Sequence, residues 1–570
     1  MTPASSVGSA RLGIQTGPSG SLSRRRLLGL GITAGIGVTV AGGLAGCSTA
    51  FAPKQGVSGQ TGKVLKSQID LPQPFSIALP LPAVLTPDGI QDGKTRYTLT
   101  QREADVEIVP GFATTIWGYD GTFPGPTIEA RRGEPIVVRV SNELAVPTST
   151  HLHGGVVAPE SDGYPTDLLV PTRFKGRVDA AMLAMHKRAQ VQGQQDGSSA
   201  HQHPTDAPAE PDPKIWTLHR VAKDYHYACD QAASTLWYHD HRMDFSAPQV
   251  WKGLVGSFLI RDAEEEALNL PTADQELLLV ICDRSFDADG QFAYPALDPT
   301  LTELSGVQDD YMDGVLGDVI LVNGVPWPVA KVSNTRHRLR LLNASNARQY
   351  DLTLSVNGES VPISQIGSDA GLLARPQRLD SVPMSPAERF DVVVDFGTFP
   401  VGTEVVLENT LATGDSGKVM KFIIDEAKDD RSELPDVLVK DFEQLRRQDA
   451  QKTRLFDFRM TAERMWVING EAFDPSAAGT RVERDTVELW RLTSDFNHPV
   501  HLHLGHFQVL TRDGREPAPA DAGWKDTVNV TPYGVTEVLV KFTKFEGRYM
   551  LHCHNLEHED MAMMANVDVV

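Results

Sequence analysis

The C-terminal segment of the chain concentrates side chains that bind soft metal ions. His552-Cys553-His554 is followed by His558 and Met563, with Met561 close by. A thiolate, two imidazoles and a weakly held thioether suit an electron-transfer copper ion. Cys553, His558 and Met563 offer three of these four ligands, so we expect a histidine from another segment to complete the set.

Three further histidine clusters share an alternating spacing: His151-Leu152-His153, His239-Asp240-His241 and His498-Pro499-Val500-His501-Leu502-His503. Residues two apart in an extended segment point the same way, so each His-x-His pair can present two nitrogens to one metal cluster. One such pair is weak support, because single histidines are common on surfaces and in cores. Ten of the 17 histidines fall in the four clusters, with His506 outside them.

Together the clusters resemble the four copper-binding motifs of the multicopper oxidases, in the same order along the chain. More narrowly, the chain is similar to the branch that contains spore-coat laccase, bilirubin oxidase and phenoxazinone synthase. The resemblance covers roughly residues 75 to 570 and includes segments outside the clusters: Ser161-Asp162-Gly163-Tyr164-Pro165, Trp237-Tyr238, Ile320-Leu321-Val322-Asn323-Gly324, Gln365-Ile366-Gly367-Ser368-Asp369 and Pro386-Ala387-Glu388-Arg389.

The resemblance implies a role for each clustered residue and a cofactor of four copper ions. The type-1 copper would be held by His498, Cys553 and His558, with Met563 as axial ligand and Met561 as the competing axial candidate. The type-2 copper would take His151 and His501. The type-3 pair would take His153, His239, His241, His503, His552 and His554.

Two acidic residues match positions that serve proton transfer at the trinuclear site in this branch. Asp162 follows the first histidine pair, and Glu559 is adjacent to His558. Forming water from dioxygen consumes protons as well as electrons, which gives such carboxylates a purpose. The alternative is that both are solvated surface carboxylates.

The leading functional hypothesis is a laccase-like oxidase of phenolic or aminophenolic donors, with dioxygen as acceptor and electrons entering at the exposed edge of His558. A metallo-oxidase of Cu(I) or Mn(II) in metal tolerance is the alternative. A non-enzymatic cupredoxin-fold binding protein is the third, and lost ligands would be its signature. The net charge of −21 disfavours nucleic acid partners. We expect a monomer.

The N-terminal segment predicts export. A twin-arginine signal is indicated by Ser23-Arg24-Arg25-Arg26-Leu27-Leu28. Residues 27–45 are typical of the apolar region of such a signal. Leu44-Ala45-Gly46-Cys47 resembles a lipoprotein processing box, which would make Cys47 a lipid anchor. Cleavage near Ala50-Phe51-Ala52 is the alternative. We expect a cell-envelope lipoprotein or a periplasmic or extracellular enzyme.

Short β-branched runs separated by Gly, Pro, Asn and Asp predict an all-β protein of β-sandwiches. The resemblance implies three cupredoxin-like Greek-key domains, and shifts in composition place them at 75–265, 270–428 and 455–570. Residues 48–74 and 429–454 would be linkers, the second with some helix. A polar stretch at about 180–214 indicates an insertion in the first domain. Cys229 and Cys282 either form a disulfide or remain free thiols.

Overall fold

A computed structural model describes residues 60–182 and 210–570 of the chain. The predicted export signal with Cys47, and residues 183–209 of the predicted insertion, lie outside the described residues. Within the described ranges, no helix combines the length and the apolar character needed to cross a membrane. The first strand, β1 (Lys63–Val64), belongs to the segment predicted as a linker.

The first β-sandwich is formed by a five-stranded and a four-stranded sheet. The five-stranded sheet contains β2 (Gly89–Gln91), β3 (Lys94–Val106), β4 (Thr114–Tyr119), β6 (Ile136–Asn142) and β10 (Ala222–Tyr227). The four-stranded sheet contains β5 (Gly125–Arg131), β7 (Thr150–His153), β11 (Ser234–Asp240) and β12 (Val255–Arg261). Both sheets contribute to one apolar core, which includes Leu99, Val138, Leu236 and Phe258. A separate parallel pair consists of β8 (Asp167–Leu169) and β9 (Thr217–His219).

The middle sandwich is the largest, with a seven-stranded and a six-stranded sheet. The first contains β13 (Glu276–Arg284), β15 (Val319–Val322), β16 (Val325–Pro326), β18 (Arg336–Asn343), β21 (Ile363–Ser368), β22 (Gly371–Leu379) and β24 (Arg389–Asp395). The second contains β17 (Val329–Ser333), β19 (Tyr350–Val356), β20 (Glu359–Val361), β23 (Val382–Met384), β25 (Glu404–Asn409) and β26 (Lys418–Glu426). Strand β14 (Val315–Leu316) pairs in parallel with β1.

The third sandwich has two five-stranded sheets. One contains β27 (Ala450–Met460), β28 (Trp466–Ile468), β30 (Val487–Ser494), β32 (His506–Arg512) and β34 (Val535–Lys541). The other contains β29 (Thr480–Val482), β31 (His498–Leu502), β33 (Thr527–Val530), β35 (Gly547–Cys553) and β36 (Met564–Val569). The prediction of an all-β chain built from three sandwiches is confirmed.

Short helices lie between or beside the sandwiches: α1 (Ser246–Lys252), α2 (Ala263–Glu266) and α3 (Leu556–Asp560). The prediction of some helix in the second linker is wrong. Residues 429–449, all of them described, contain one 3-10 turn at Arg447–Asp449 and no α-helix, and β27 already begins at Ala450. Pro435 disfavours the helical conformation at the residue before it, and Leu438 and Leu445 of this segment are buried in two separate cores rather than on one helix face. We propose domain boundaries near residues 265–270 and 428–450.

Candidate metal centre

The four histidine clusters lie on neighbouring strands of the first and third sandwiches or shortly after the ends of these strands. Strands β7 and β11 pair antiparallel, which sets His151 opposite His239. Strands β31 and β35 also pair antiparallel, which sets His501 opposite His552. The alternation of each strand then directs its paired histidines to the same side, as the spacing predicts.

Eight imidazoles from these strands meet in one buried cluster, each at most 1% exposed: His151, His153, His239, His241, His501, His503, His552 and His554. Their ring nitrogens form several groups of three within 4.8 Å of one another. One group joins His241, His503 and His552, and another joins His151, His501 and His503. The rings of His153 and His239 lie 5.0 and 5.3 Å from that of His554. The sequence therefore predicted which histidines come together.

Backbone oxygens orient several of these rings. Nδ1 of His151 lies 2.5 Å from the carbonyl oxygen of Asp162, and Nδ1 of His239 lies 2.9 Å from that of Asp240. Nδ1 of His501 lies 3.0 Å from the carbonyl oxygen of Asp526. The opposite nitrogen, Nε2, has no hydrogen-bond partner among the described residues in any of the three rings. Buried polar atoms are normally satisfied, so these nitrogens are free to bind a metal ion.

A second arrangement of nitrogens also fits a metal ion. Nε2 of His552 lies 3.3 Å from Nε2 of His241 and 3.2 Å from Nε2 of His503. Nδ1 of His552 lies 3.0 Å from the carbonyl oxygen of Cys553. Because Nδ1–H donates a hydrogen bond to that oxygen, Nε2 carries the lone pair, which faces the neighbouring rings. A metal cation between the three nitrogens could accept their lone pairs.

A separate centre surrounds Cys553. Its Sγ lies 3.3 Å from Nδ1 of His498 and 3.6 Å from Nδ1 of His558, and these two nitrogens are 3.1 Å apart. The backbone N–H of Asn555 donates to Sγ. Met563 is fully buried in the same core as Cys553, and its backbone oxygen accepts from the N–H of Cys553. This set matches the donors of an electron-transfer copper site.

The second methionine candidate lies in a different place. Met561 is half-buried and packs between the cores of the middle and third sandwiches. Its side chain also borders Gly306. His506, which the sequence left outside the clusters, is directed to the carbonyl oxygen of Gly154 at 3.2 Å.

Burial sets the protonation state that metal binding needs. It lowers the pKa of nine of the ten clustered histidines, to about 4 for His241 and well below the usual range for His151, His153 and His239. Neutral imidazole is the form that binds a metal. Burial also raises the pKa of the Cys553 thiol, so a bound cation would be needed to hold the thiolate.

Both predicted acidic residues are buried at the cluster, so the surface alternative for them is wrong. An Oδ2 oxygen of Asp162 lies 2.7 Å from Nδ1 of His503, and burial raises the pKa of Asp162 to about 8. The carboxylate of Glu559 lies 3.5 Å from Nδ1 of His241 and 3.1 Å from Nδ1 of His552. Burial raises the pKa of Glu559 as well.

The expectation of an exposed edge on His558 is wrong. The side chain is 0% exposed. Its Nε2 lies 3.2 Å from the carbonyl oxygen of Asp313, and the ring of Trp466 covers one face. The covering residues come from the middle sandwich and from β28, far away in sequence, which is why the local motif gave no sign of them.

Other residues at the centres had no assigned role in the sequence. Asp526 and Thr527 contact His153, and Arg389 contacts Asp526. Arg389 and Asp369 belong to segments that carry the family resemblance. The sequence therefore marked both residues without indicating what they contact. The other two buried cysteines of the described residues, Cys229 and Cys282, are free thiols, so they do not form the disulfide considered as one alternative.

Comparison with known proteins gives a consistent result. Two family profiles, both described as multicopper oxidase, match residues 100–173 with 213–265 and residues 446–570. A laccase of Bacillus subtilis is 30% identical over 551 residues, covering 87% of this chain and 98% of the relative. A bilirubin oxidase of Albifimbria verrucaria is 30% identical over 554 residues, covering 90% of this chain and 85% of the relative.

A solved structure also resembles the chain. The crystal structure of a multi-copper oxidase from Pediococcus acidilactici superposes with a TM-score of 0.72 at 30% identity. The superposition covers 89% of this chain and 93% of the other. The similarity therefore extends over all three sandwiches rather than the histidine motifs alone.

Proposed function

The chain belongs to the multicopper oxidase family, and from that premise we propose a laccase-like oxidase of phenolic or aminophenolic donors that reduces dioxygen to water. The observation that carries the proposal is the position of Cys553 between His552 and His554. The Cys553 thiol faces His498 and His558, while its two chain neighbours face the buried imidazole cluster. Electrons accepted at one centre can therefore reach the other through bonded atoms.

The proposed cofactor is four copper ions, which supply one-electron redox chemistry when bound. His498, Cys553, His558 and Met563 would hold the type-1 ion. His151 and His501 would hold the type-2 ion. The type-3 pair would take His153, His239, His241, His503, His552 and His554.

The remaining steps belong to the residues of the chain. The sandwiches exclude bulk water from both centres, since all the proposed histidine ligands are buried. Asp162 and Glu559 are placed to hold and deliver protons at the cluster, since Oδ2 of Asp162 lies beside Nδ1 of His503 and Oε2 of Glu559 lies beside Nδ1 of His552. Protonated carboxyl groups suit that task, and burial favours the protonated form of both.

The metallo-oxidase alternative has one supporting observation. Two half-buried acidic residues lie beside the Cys553 centre: the backbone oxygen of Asp313 lies 3.2 Å from Nε2 of His558, and Oδ1 of Asp495 lies 3.5 Å from Nε2 of His498. Carboxylates at an electron entry point would favour a cationic donor such as Cu(I) or Mn(II). The non-enzymatic alternative is disfavoured because every copper-ligand position of the family holds a residue that can bind copper.

Oxygen uptake by the copper-loaded full chain separates these functions. A phenol and Cu(I) would be offered in parallel to the wild type, to Cys553→Ser and to Cys282→Ser, which alters a buried thiol in the middle sandwich. Uptake with the phenol that Cys553→Ser abolishes and Cys282→Ser retains supports the laccase-like function. Uptake confined to Cu(I) moves the function to metal oxidation, and no uptake with either donor contradicts both.

We also propose export by the twin-arginine route and anchoring through a lipid on Cys47. The sequence pattern alone supports this. Membrane fractionation of cells expressing the wild type and Cys47→Ser tests it, with the mature N-terminus identified by mass spectrometry. The variant should leave the membrane fraction, while a mature N-terminus beyond Ala50 in the wild type would contradict the anchor.

A further inference from the structure

One buried carboxylate joins the histidine cluster to the middle sandwich. Oδ1 of Asp526 lies 3.0 Å from Nε2 of His153, and Asp526 is 0% exposed. The hydroxyl of Thr527 lies 3.1 Å from the same nitrogen and 3.2 Å from Nδ1 of His501. These two side chains therefore contact His153 of the first sandwich and His501 of the third.

Arg389 holds the other side of that carboxylate. Its Nη1 donates to Oδ1 of Asp526 at 2.8 Å, and its Nη2 donates to Oδ2 at 2.5 Å. Bidentate pairing of this kind fixes both the position and the plane of a carboxylate. Arg389 is the first residue of β24, so the middle sandwich supplies the clamp.

Arg389 is itself fixed by all three sandwiches. Its Nε donates to the carbonyl oxygen of Thr235 on β11 at 2.9 Å. Its backbone N–H donates to Oδ1 of Asp369 at 2.7 Å, and Nη2 donates to the Asp369 carbonyl oxygen at 2.9 Å. Oδ2 of Asp369 also accepts from the N–H groups of Asp526 and Thr527 at 3.3 Å. The guanidinium therefore has little freedom to move.

The chain leaves space for this pair beside the first histidine cluster. Gly154 directly follows His153 and has a φ of +83°. A Cβ atom built there would lie 2.5 Å from Nη2 of Arg389 and 2.7 Å from Oδ2 of Asp526. Only glycine accommodates both this backbone conformation and the ion pair.

We propose that Arg389 and Asp369 are positioning residues for the trinuclear copper cluster, acting through Asp526 and Thr527 on His153 and His501. The middle sandwich thus takes part in building the oxygen-reducing site although it supplies no ligand. This inference rests on the proposed function, which assigns His153 and His501 to copper.

The Asp526 carboxylate determines which nitrogen of His153 carries the proton. With Asp526 ionised and clamped, Nε2 of His153 carries the proton and donates it. Nδ1, which has no hydrogen-bond partner in the described part of the chain, is then the nitrogen with a free lone pair. An amide in place of the carboxylate has only one accepting oxygen. If that oxygen takes the place of Oδ1, the NH2 group faces Nη2 of Arg389 and the bidentate clamp is lost. If the oxygen takes the place of Oδ2, the NH2 group faces His153, and the proton moves to Nδ1, which can then no longer bind copper.

The test compares copper-loaded wild type with Asp526→Asn, after circular dichroism confirms folding. We expect the variant to keep the blue absorption of the type-1 centre but to lose the near-ultraviolet absorption of the coupled type-3 pair. Copper at the cluster should be released to a chelator about 10–100-fold more readily, as for other residues that orient metal ligands. Wild-type near-ultraviolet absorption and copper retention in Asp526→Asn would overturn the inference.

Two further variants keep the test decisive if Asp526→Asn does not fold. Arg389→Lys keeps the charge but cannot form the bidentate pair, and Thr527→Val removes one hydroxyl. Each should weaken the type-3 absorption in the same direction, by less than Asp526→Asn. If both retain the full type-3 signal, the inference is wrong.

Asp391→Asn is the matched control. Asp391 is a buried carboxylate on the same strand, two residues after Arg389, where it accepts from Nε of Arg338 at 2.8 Å. It should lower stability without changing the type-3 signal, and an equal loss of that signal would attribute the effect to general destabilisation and overturn the inference. A wild type without type-3 absorption would instead contradict the proposed function.

Discussion

The ring of Trp466 stacks on the ring of His558, with centroids 3.7 Å apart and planes 26° from parallel. Trp466 is fully buried, and its indole also meets the ring of His498 edge-on at 5.6 Å. The indole therefore touches both histidines of the Cys553 centre. It separates His558 from water on a face that the sequence motif alone would leave open.

Replacing this ring should change the redox properties of the type-1 centre. In Trp466→Ala, water reaches His558, which stabilises the more highly charged oxidised copper and lowers the potential. The loss of a buried tryptophan should also cost about 3–5 kcal/mol of stability. Redox titration of the blue absorption measures the potential. Trp466→Phe keeps an aromatic face and should show a smaller change, whereas equal potentials in all three proteins would contradict the shielding role.

Asp162→Asn and Glu559→Gln should slow turnover with dioxygen by about 10²–10⁴-fold, the range typical of a lost proton donor. The type-1 blue absorption should remain, because neither carboxylate contacts the Cys553 centre among the contacts of the described residues. Steady-state oxygen uptake, together with the rate of type-1 bleaching by a phenol, distinguishes the two steps. Unchanged oxygen turnover would remove these residues from the mechanism.

Cys229 and Cys282 should resist thiol reagents in the native protein. Burial raises the pKa of Cys229 to about 12 and that of Cys282 to about 11, both above the ordinary value of 9.0. The thiols therefore stay neutral at pH 8, and the stability tied to their neutral forms is lost only as the pH rises above about 9. Titration with a chromogenic disulfide at pH 8 should label them only after denaturation. Rapid labelling of the native chain would contradict their placement.

Much of the site could be predicted because strand geometry converts local spacing into spatial grouping. Alternation in His151-Leu152-His153 and His239-Asp240-His241 puts each pair on one face, and the pairing of β7 with β11 brings the two pairs together. The short β-branched runs predicted the sandwiches for the same reason. The alternation and the β-branched runs each lie within a few residues of sequence, and the shared His-x-His spacing indicated that the two pairs belong to one site.

The supporting residues could not be predicted in this way. Asp526 meets His153 across 373 positions of sequence, and Arg389 meets Asp526 across 137. Such contacts depend on how three sheets pack, and no local period encodes that packing. The sequence could not predict that Asp313 and Trp466 cover His558, because these contacts also depend on packing. An exposed edge on His558 was therefore expected.

Removing copper should lower the stability of the folded chain. Without the metal, Nε2 of His552 faces Nε2 of His241 at 3.3 Å and Nε2 of His503 at 3.2 Å with no cation between them. Copper at 100 times its dissociation constant would add about 2.7 kcal/mol through binding to the native state. Thermal unfolding of copper-free and copper-loaded protein measures this, and identical melting temperatures would contradict a preformed cluster.

The copper content of wild type and Cys553→Ser, measured by elemental analysis beside the visible and near-ultraviolet spectra, tests whether two copper centres are joined through Cys553. We expect four copper ions and blue absorption in the wild type. In the variant we expect three ions, with the blue absorption lost and the type-3 absorption kept. Blue absorption that survives in Cys553→Ser, or a wild type that binds a single copper ion, would contradict two centres joined through Cys553.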